Sequence, residues 1–554
     1  MPVTLLVALL PLVASFQGTE TSFRGTEAPQ AVSTPRLVVL LAVDQLIPDQ
    51  LERLEPHLHG GLGRLVREGV VFRNASLDYV RTETGAGHTT FSTGCLPRSH
   101  GVVGNSFFDR GENRSRYCVE DAAATALTSW GLVPTLVHRS PLNLRRPTLG
   151  EHMQAANPRS KVVSIAGKDR AAIGLGGRSR GAVLWWDKGG SGFQSSDHYF
   201  DMLPAFALKW NAGWMQRANG WEWTSTLPPQ PARYGTAPDL RPGERPIAGQ
   251  GTTFPYLLSA SDNPKKLAGL VYQSPLVDQY TLEMGRAALR AMDLGTDDVP
   301  DLLALSFSGC DVVGHASGPY SHEVTDLLLR LDRGLGEFFD ELDERVGRGR
   351  WIAALTADHG VLPLPEHLSA QGIVAERVLK ARVGAFRSDL RVRMKAALGR
   401  DIKVNRADGG LTFDRKAFAA SGLDLAEASA TLVQVTRELA VKHSWIESAW
   451  SYDQIAGFGE TATGIEGLLR DSFYPGRLPD VTVLNRPNQL VAGENGTSHG
   501  THHWYDRHVP LVLYGMGHGV RSDAAGSHDA VPTILVRLGI TPRTPLDGRD
   551  LLAD

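Results

Sequence analysis

The chain has 554 residues, 42% hydrophobic and 21% charged, with 57 Lys and Arg against 60 Asp and Glu and a formal net charge of −3. That much apolar material fits a large globular core and excludes a mainly disordered chain, a collagen-like fibre and a polytopic membrane protein. The charge balance argues against a nucleic acid as polymer ligand, while leaving room for a local basic pocket.

The first apolar run, residues 2–16 (PVTLLVALLPLVASF), is too short to span a bilayer and is broken by Pro11. It fits the apolar region of a signal peptide, with Ala14 and Ser15 as small residues near a cleavage point, although no Lys or Arg precedes it. Residues 1–16 are therefore expected to be a signal peptide and 17–34 a polar leader. No later run reaches spanning length, so no transmembrane segment is expected after signal removal, and the mature chain is expected outside the cytoplasm.

Short apolar runs then recur as strands: Leu37–Val43 and Lys161–Ala166 in a first core portion (35–177), Asp301–Phe307 and Arg350–Thr356 in a second (276–361), and Val509–Tyr514 in a third (491–554). Their continuous rather than alternating apolar character suits a sheet covered on both faces. Helical stretches at Asp278–Met292 and Glu323–Asp343 lie between them. The fold class read from this alternation is α/β, a mostly parallel central sheet with helices on both faces. Two regions break the rhythm. Residues 178–275, rich in Trp, Gly and Pro, read as an inserted cap or loop region. Residues 362–490 read as a small α+β insertion with helices near Asp389–Leu398 and Leu425–Lys442.

Three cysteines do not make a disulfide framework. Cys95 and Cys118 are near enough in sequence to pair in an oxidising compartment, and Cys310 would be left over as a small buried residue. No CxxC or Cys/His finger spacing is present, which excludes thiolate metal chemistry.

In open α/β sheets ligands bind beyond the carboxyl ends of the strands. Leu37–Val43 ends at Asp44. Asp301–Phe307 runs into Asp311 and, four residues later, His315. Arg350–Thr356 leads to Asp358 and His359, and His499–Gly500 precedes the last strand. Asp or His at four strand ends is hard to attribute to packing. Three Asp and three His amount to two sets of three oxygen and nitrogen ligands, each with positions left for water or substrate. Zn²⁺ accepts such sets, and the residue types alone do not exclude Mn, Fe or Co. A nucleophile is available at Thr84 in TETGAGHTTFSTG, where small residues open a helix-like run. A helix start offers free N–H groups to an anionic oxygen, and a metal ion would make a threonine alkoxide accessible near neutral pH. Taken alone, the segment also reads as an ordinary helix cap.

Together, Asp44, Thr84–His88 (TGAGH), Asp311-x3-His315, Asp358–His359–Gly360 and His499–Gly500 resemble the alkaline phosphatase superfamily, in its phosphodiesterase/nucleotide pyrophosphatase branch. The resemblance runs over residues 37–548. It implies two Zn²⁺ per chain, one held by Asp44, Asp358 and His359 with Thr84 at its open position, the other by Asp311, His315 and His499. His502, His503 and His508 are expected beside the site or at the surface, because the family motif has His directly before Gly. His88 is expected to be a structural group of the nucleophile helix or one that backs the ligands, and Thr84 argues against the sulfatases, which need a Cys or Ser.

Substrate class turns on the phosphate contacts. Lys168 and Arg170, read as an extended segment, would point to one side, and Asn105 would donate to another oxygen. This trio with Thr84 resembles the phosphate-irrepressible alkaline phosphatases. Extra cations suit a monoester dianion and obstruct the second substituent of a diester. The resemblance thus implies a bacterial, periplasmic or secreted phosphomonoesterase that forms a phosphothreonine intermediate and releases inorganic phosphate for acquisition. The alternatives are a phosphodiesterase or nucleotide pyrophosphatase on the same metals, or a zinc-dependent phosphate binder without turnover.

Overall fold

Leu37–Val43 (β1) is apolar at all seven positions because both of its faces are covered. Leu37, Val39, Leu41 and Val43 enter one apolar cluster, while Val38, Leu40 and Ala42 enter another on the opposite side. Each such Leu or Val side chain, fully buried, contributes on the order of 1.5–3 kcal/mol. The computed structural model describes residues 34–134, 138–227, 231–260 and 262–553. The expected signal peptide (1–16) and nearly all of the leader (17–34) lie outside the described residues.

The strands that follow β1 in its own sheet are Val70–Ser76 (β2), Ala126–Thr128 (β3), Gly131–Val133 (β4), Val162–Ala166 (β5), Gly181–Asp187 (β6), Gly192–Ser196 (β7), Asp301–Phe307 (β8) and Trp351–Thr356 (β9). Four strands of a second sheet come next: Val404–Ala407 (β10), Gly410–Phe413 (β11), Ile446–Ser451 (β12) and Val481–Asn485 (β13). Leu511–Tyr514 (β14) and Gly519–Gly526 (β15) return to the first. The large sheet has eleven strands in the order β15-β2-β14-β9-β1-β8-β5-β6-β7-β3-β4.

The central run β9-β1-β8-β5-β6 is parallel, as expected for buried α/β strands. Beyond it the sheet is mixed. The last expected strand, β14, runs antiparallel to β9 and β2, and β6, β7, β3 and β4 are joined by antiparallel pairs. The region read as an inserted cap therefore starts too early at residue 178, because β6 and β7 are sheet strands. Their Trp and Gly content disguised buried sheet strands as a loop: Trp185 and Trp186 of β6 are both buried.

The second sheet, ordered β10-β11-β13-β12, lies within the 362–490 segment and has its own apolar cluster with Phe386, Leu432 and Trp445. Its helices are Lys380–Leu398, longer than expected, and Leu425–Leu439. Among the described residues no helix is long and apolar enough to cross a membrane. Cys95, Cys118 and Cys310 are free, buried thiols, so the possible Cys95–Cys118 bridge is not formed.

Candidate active site

The carboxyl ends of the parallel strands converge. Asp44 follows β1, Asp358 and His359 follow β9, and Asp311 lies in the first turn of the helix Gly309–Ser317 that leaves β8. His315 is one turn further along that helix, so i,i+4 spacing brings it over Asp311. His499 comes from the loop before β14. The structure brings all six together as two groups, Asp44–Asp358–His359 and Asp311–His315–His499, whose ligand atoms lie within 4.8 Å of one another in each.

The imidazoles are held from behind. His315 Nδ1 lies 2.8 Å from the Thr497 carbonyl, His499 Nδ1 2.8 Å from the Thr82 carbonyl and His359 Nδ1 3.0 Å from the Gly360 carbonyl. A carbonyl can only accept, so Nδ1 carries a proton, and in the neutral ring Nε2 is the nitrogen left to present a lone pair inward. His315 and His499 Nε2 stand 3.2 and 3.5 Å from Asp311 Oδ1, and His359 Nε2 stands 3.5 Å from Asp44 Oδ1.

Buried in the first group, Asp44 Oδ1 and His359 Nε2 make no hydrogen bond and stand 3.5 Å apart, while Asp44 Oδ2 is taken up by the Lys168 ammonium and Asp358 Oδ2 lies 3.3 Å from both His88 Nδ1 and His359 Nε2. Buried polar atoms are ordinarily paired, so an unpaired carboxylate oxygen and an unpaired imidazole nitrogen this close mark a place for a cation. The protonation pattern agrees. Burial and the neighbouring Asp358 push Asp44 well above the usual carboxylate range. Burial would raise Asp311 too, but His315 and Lys168 hold it well below. Three carboxylates this close cannot all ionise unless cations stand among them. The donor set, carboxylate and imidazole without thiolate, fits zinc-class ions.

Thr84 is the first residue of the helix Thr84–Thr93, with Glu83 rather than Thr84 as the cap. Its hydroxyl is met by two cationic donors, Lys168 Nζ at 3.4 Å and Arg170 Nη2 at 3.2 Å. The two converge as expected, but not from an extended segment. Lys168 caps the helix Asp169–Gly176 and Arg170 is its second residue, so both work at the positive end of that helix. Lys168 also pairs with Asp44 and with Asp311 Oδ2. Asn105 accepts from the Gly85 N–H (2.8 Å) through Oδ1, which leaves its NH₂ for another acceptor, and its own N–H donates to Glu83 (2.6 Å). Gly87 has no side chain because a Cβ there would lie 2.1 Å from the Asp358 carbonyl oxygen. The TGAGH motif is thus the price of packing this helix directly on a candidate ligand.

Two residues escaped the sequence reading. Gln45 donates its backbone N–H to Asp358 Oδ1 (3.1 Å) and its side-chain amide to Asp311 Oδ1 (2.8 Å), joining the two groups. It adopts φ +69°, rare for a side chain of its size. Tyr117 accepts from Arg170 Nη1 (3.2 Å) and donates to Asp169 (2.6 Å). Adjacency to Asp44 was the one available signal for Gln45; nothing in sequence ties Tyr117 to Arg170. His88 stands beside the candidate ligands: its ring nitrogens meet the Thr84 carbonyl (2.9 Å) and Ser306 Oγ (2.7 Å), and Nδ1 is 3.3 Å from Asp358 Oδ2.

Comparison with known proteins places this geometry. The family model described as type I phosphodiesterase / nucleotide pyrophosphatase matches residues 38–506. The chain is 31% identical to alkaline phosphatase PafA of Elizabethkingia meningoseptica over 525 residues, 92% of each chain. It is 30% identical to alkaline phosphatase PhoV of Synechococcus elongatus over 538 residues, 95% of this chain and 94% of the relative. The crystal structure of wild-type PafA superposes with a TM-score of 0.84 at 29% identity, covering 94% of this chain and 99% of PafA; a solved variant, with a Thr, an Asn, a Lys and an Arg replaced, superposes equally. The chain belongs to the type I phosphodiesterase / nucleotide pyrophosphatase family.

Proposed function

We propose that this protein is a zinc-dependent alkaline phosphatase that hydrolyses phosphate monoesters through a phosphothreonine at Thr84. The observation that carries the reading is the approach of both Lys168 and Arg170 to Thr84 Oγ1, at 3.4 and 3.2 Å. The alkaline phosphatase relatives, aligned over more than nine-tenths of the chain, support it. So does the PafA variant, whose replaced residues are of the same four types, with Lys and Arg two positions apart.

One zinc ion would be held by Asp44, Asp358 and His359 with Thr84 beside it, the other by Asp311, His315 and His499. Bound there, the ions would supply Lewis-acid stabilisation of attacking and leaving oxygens. The chain's own groups do the rest. Two cationic donors at Oγ1 favour the alkoxide of Thr84; neither can take its proton, which passes to solvent water. That oxygen attacks phosphorus in line, the Oγ1–P bond forms and the bond to the leaving oxygen breaks. Lys168, Arg170 and the free NH₂ of Asn105 bear on the non-bridging oxygens, where charge gathers in the transition state. Water then attacks the phosphothreonine, breaking the Oγ1–P bond and releasing inorganic phosphate.

A monoester dianion meets two cations here, whereas a diester has one charge and a second substituent to place. The test is kcat/KM for p-nitrophenyl phosphate against bis-p-nitrophenyl phosphate at pH 8–9, with and without chelator. A chelator-sensitive ratio well above unity is expected; a ratio below unity makes the enzyme a phosphodiesterase on the same scaffold. The apolar run at residues 2–16 is the support for export of the enzyme to the periplasm or medium.

A further inference from the structure

A third group of carboxylate and imidazole ligands lies outside the two described above. Glu447 is the second residue of β12, and His502 and His503 stand in the loop before the short helix Trp504–Arg507. One ligand atom from each lies within 4.8 Å of the others. Both imidazoles address the same oxygen: His502 Nε2 is 3.3 Å and His503 Nε2 3.7 Å from Glu447 Oε2. These separations exceed hydrogen bonds of about 2.7–3.2 Å. They match a different geometry. A tetrahedral zinc ion with bonds of about 2.0–2.2 Å holds neighbouring ligand atoms about 3.3 Å apart.

We propose that Glu447, His502 and His503 form a third divalent-cation site of the zinc class, with an open position for water, that ties β12 of the second sheet to the loop carrying His499. The two imidazole side chains are mostly covered, at 9% and 12% exposure, and the carboxylate is half-exposed, at 37%. His502 also lines a cleft of about 270 Å³ together with Glu83 and His499, which gives an ion in solvent a way in. His503 Nε2 is 2.7 Å from the Asn485 carbonyl, the residue paired with Ile446 across β12 and β13. Coordination through Nε2 exchanges that contact for a metal bond. The imidazoles of the other two groups need no such exchange, because their Nδ1 atoms already carry the carbonyl contacts. The third site should therefore bind zinc more weakly than they do.

The test is bound zinc per full-length chain, by mass spectrometry, after equilibration with buffered free Zn²⁺. Wild type should bind one more equivalent at saturation than the double variant Glu447→Gln/His502→Asn, and that equivalent should be the weakest. Asp311→Asn, in a separate group, should keep the extra equivalent. Crystals of wild type soaked in zinc should give an anomalous peak among Glu447, His502 and His503, which decides the matter even where the double variant fails to fold. Equal stoichiometry in wild type and the double variant, or no peak at saturating zinc, overturns the proposal.

Discussion

Lys168 Nζ lies 2.5 Å from Asp311 Oδ2, so the ammonium that reaches the nucleophile is anchored on a candidate metal ligand. Burial would strip its proton, but Asp311 and Asp44 hold its pKa above the ordinary lysine value. It stays a cation throughout the working range of an alkaline phosphatase. Lys168→Ala and Arg170→Ala should each lower monoester kcat/KM by about 10²–10³, the range for losing one preorganised donor to transition-state charge. Diester turnover should fall less, so the monoester-to-diester ratio should drop. Equal losses on both substrates would assign the pair a structural role.

Thr84→Ala should remove most turnover while zinc content stays near that of wild type, because the six Asp and His ligands are untouched. Thr84→Ser keeps an oxygen in the same place and should retain a measurable fraction. Trapping with labelled substrate at low pH should give phosphothreonine in wild type and no protein-bound phosphate in Thr84→Ala.

Gln45 couples the two groups through one backbone and one side-chain hydrogen bond. Gln45→Leu keeps the bulk and the backbone donor but removes the amide from Asp311. We expect kcat to fall about tenfold, as for loss of a hydrogen bond to a charged group worth about 1.5–3 kcal/mol. Zinc bound by Asp311, His315 and His499 should dissociate faster, which a metal-release assay with a chromophoric chelator measures.

Away from the site, buried Glu323 accepts from Tyr256 (2.8 Å) and leaves its other oxygen unpaired. Burial pushes it up to about 8 from an ordinary value of 4.5. The unfolded chain loses this proton near 4.5 and the folded one near 8. The stability that protonated Glu323 contributes is thus full below pH 4.5, drains as pH rises to about 8 and is gone above it. Glu323→Gln keeps the shape without the charge. Its Tm should exceed wild type at pH 9, by an amount on the order of a few kcal/mol in stability, and match wild type at pH 4.5. A pH-independent difference would deny the linkage.

The legible part of this protein was the part written in short local patterns. Asp44, Asp358 and His359 follow strand ends and Asp311 and His315 stand one helical turn apart, where spacing fixes direction, whereas His499, in a loop, was picked out through the family motif. The parallel centre of the sheet was legible for a similar reason, since strands buried on both faces are apolar throughout. Strand direction at the sheet's flanks was not, because β14 carries the same composition whether parallel or antiparallel. β6 was hidden by its tryptophans, which cover the face of an interior strand as well as they shape a loop. Apart from the adjacency of Gln45 to Asp44, nothing marked Gln45 or Tyr117, because their roles rest on contacts 266 and 53 residues away in sequence. Lys168 and Arg170 were found for a partly mistaken reason: a helix start, not an extended strand, turns them the same way.

Tyr117 offers a separate reading of Arg170. Its hydroxyl accepts from Arg170 Nη1 (3.2 Å) and donates to Asp169 (2.6 Å), while Arg139 pairs with Asp169 (2.6 Å) and covers the tyrosine ring at 4.4 Å. This network leaves Arg170 Nη2 directed at Thr84. Tyr117→Phe removes the hydroxyl but not the ring, so packing under Arg139 persists. One lost net hydrogen bond of about 0.5–1.5 kcal/mol implies a loss of roughly 3–10-fold in monoester kcat/KM. The loss should fall mainly on the monoester, as for Arg170→Ala but smaller. If Tyr117 acts only by aiming Arg170, the double variant should be no worse than Arg170→Ala alone. Multiplicative losses in that cycle would mean that Tyr117 touches the reaction by another route.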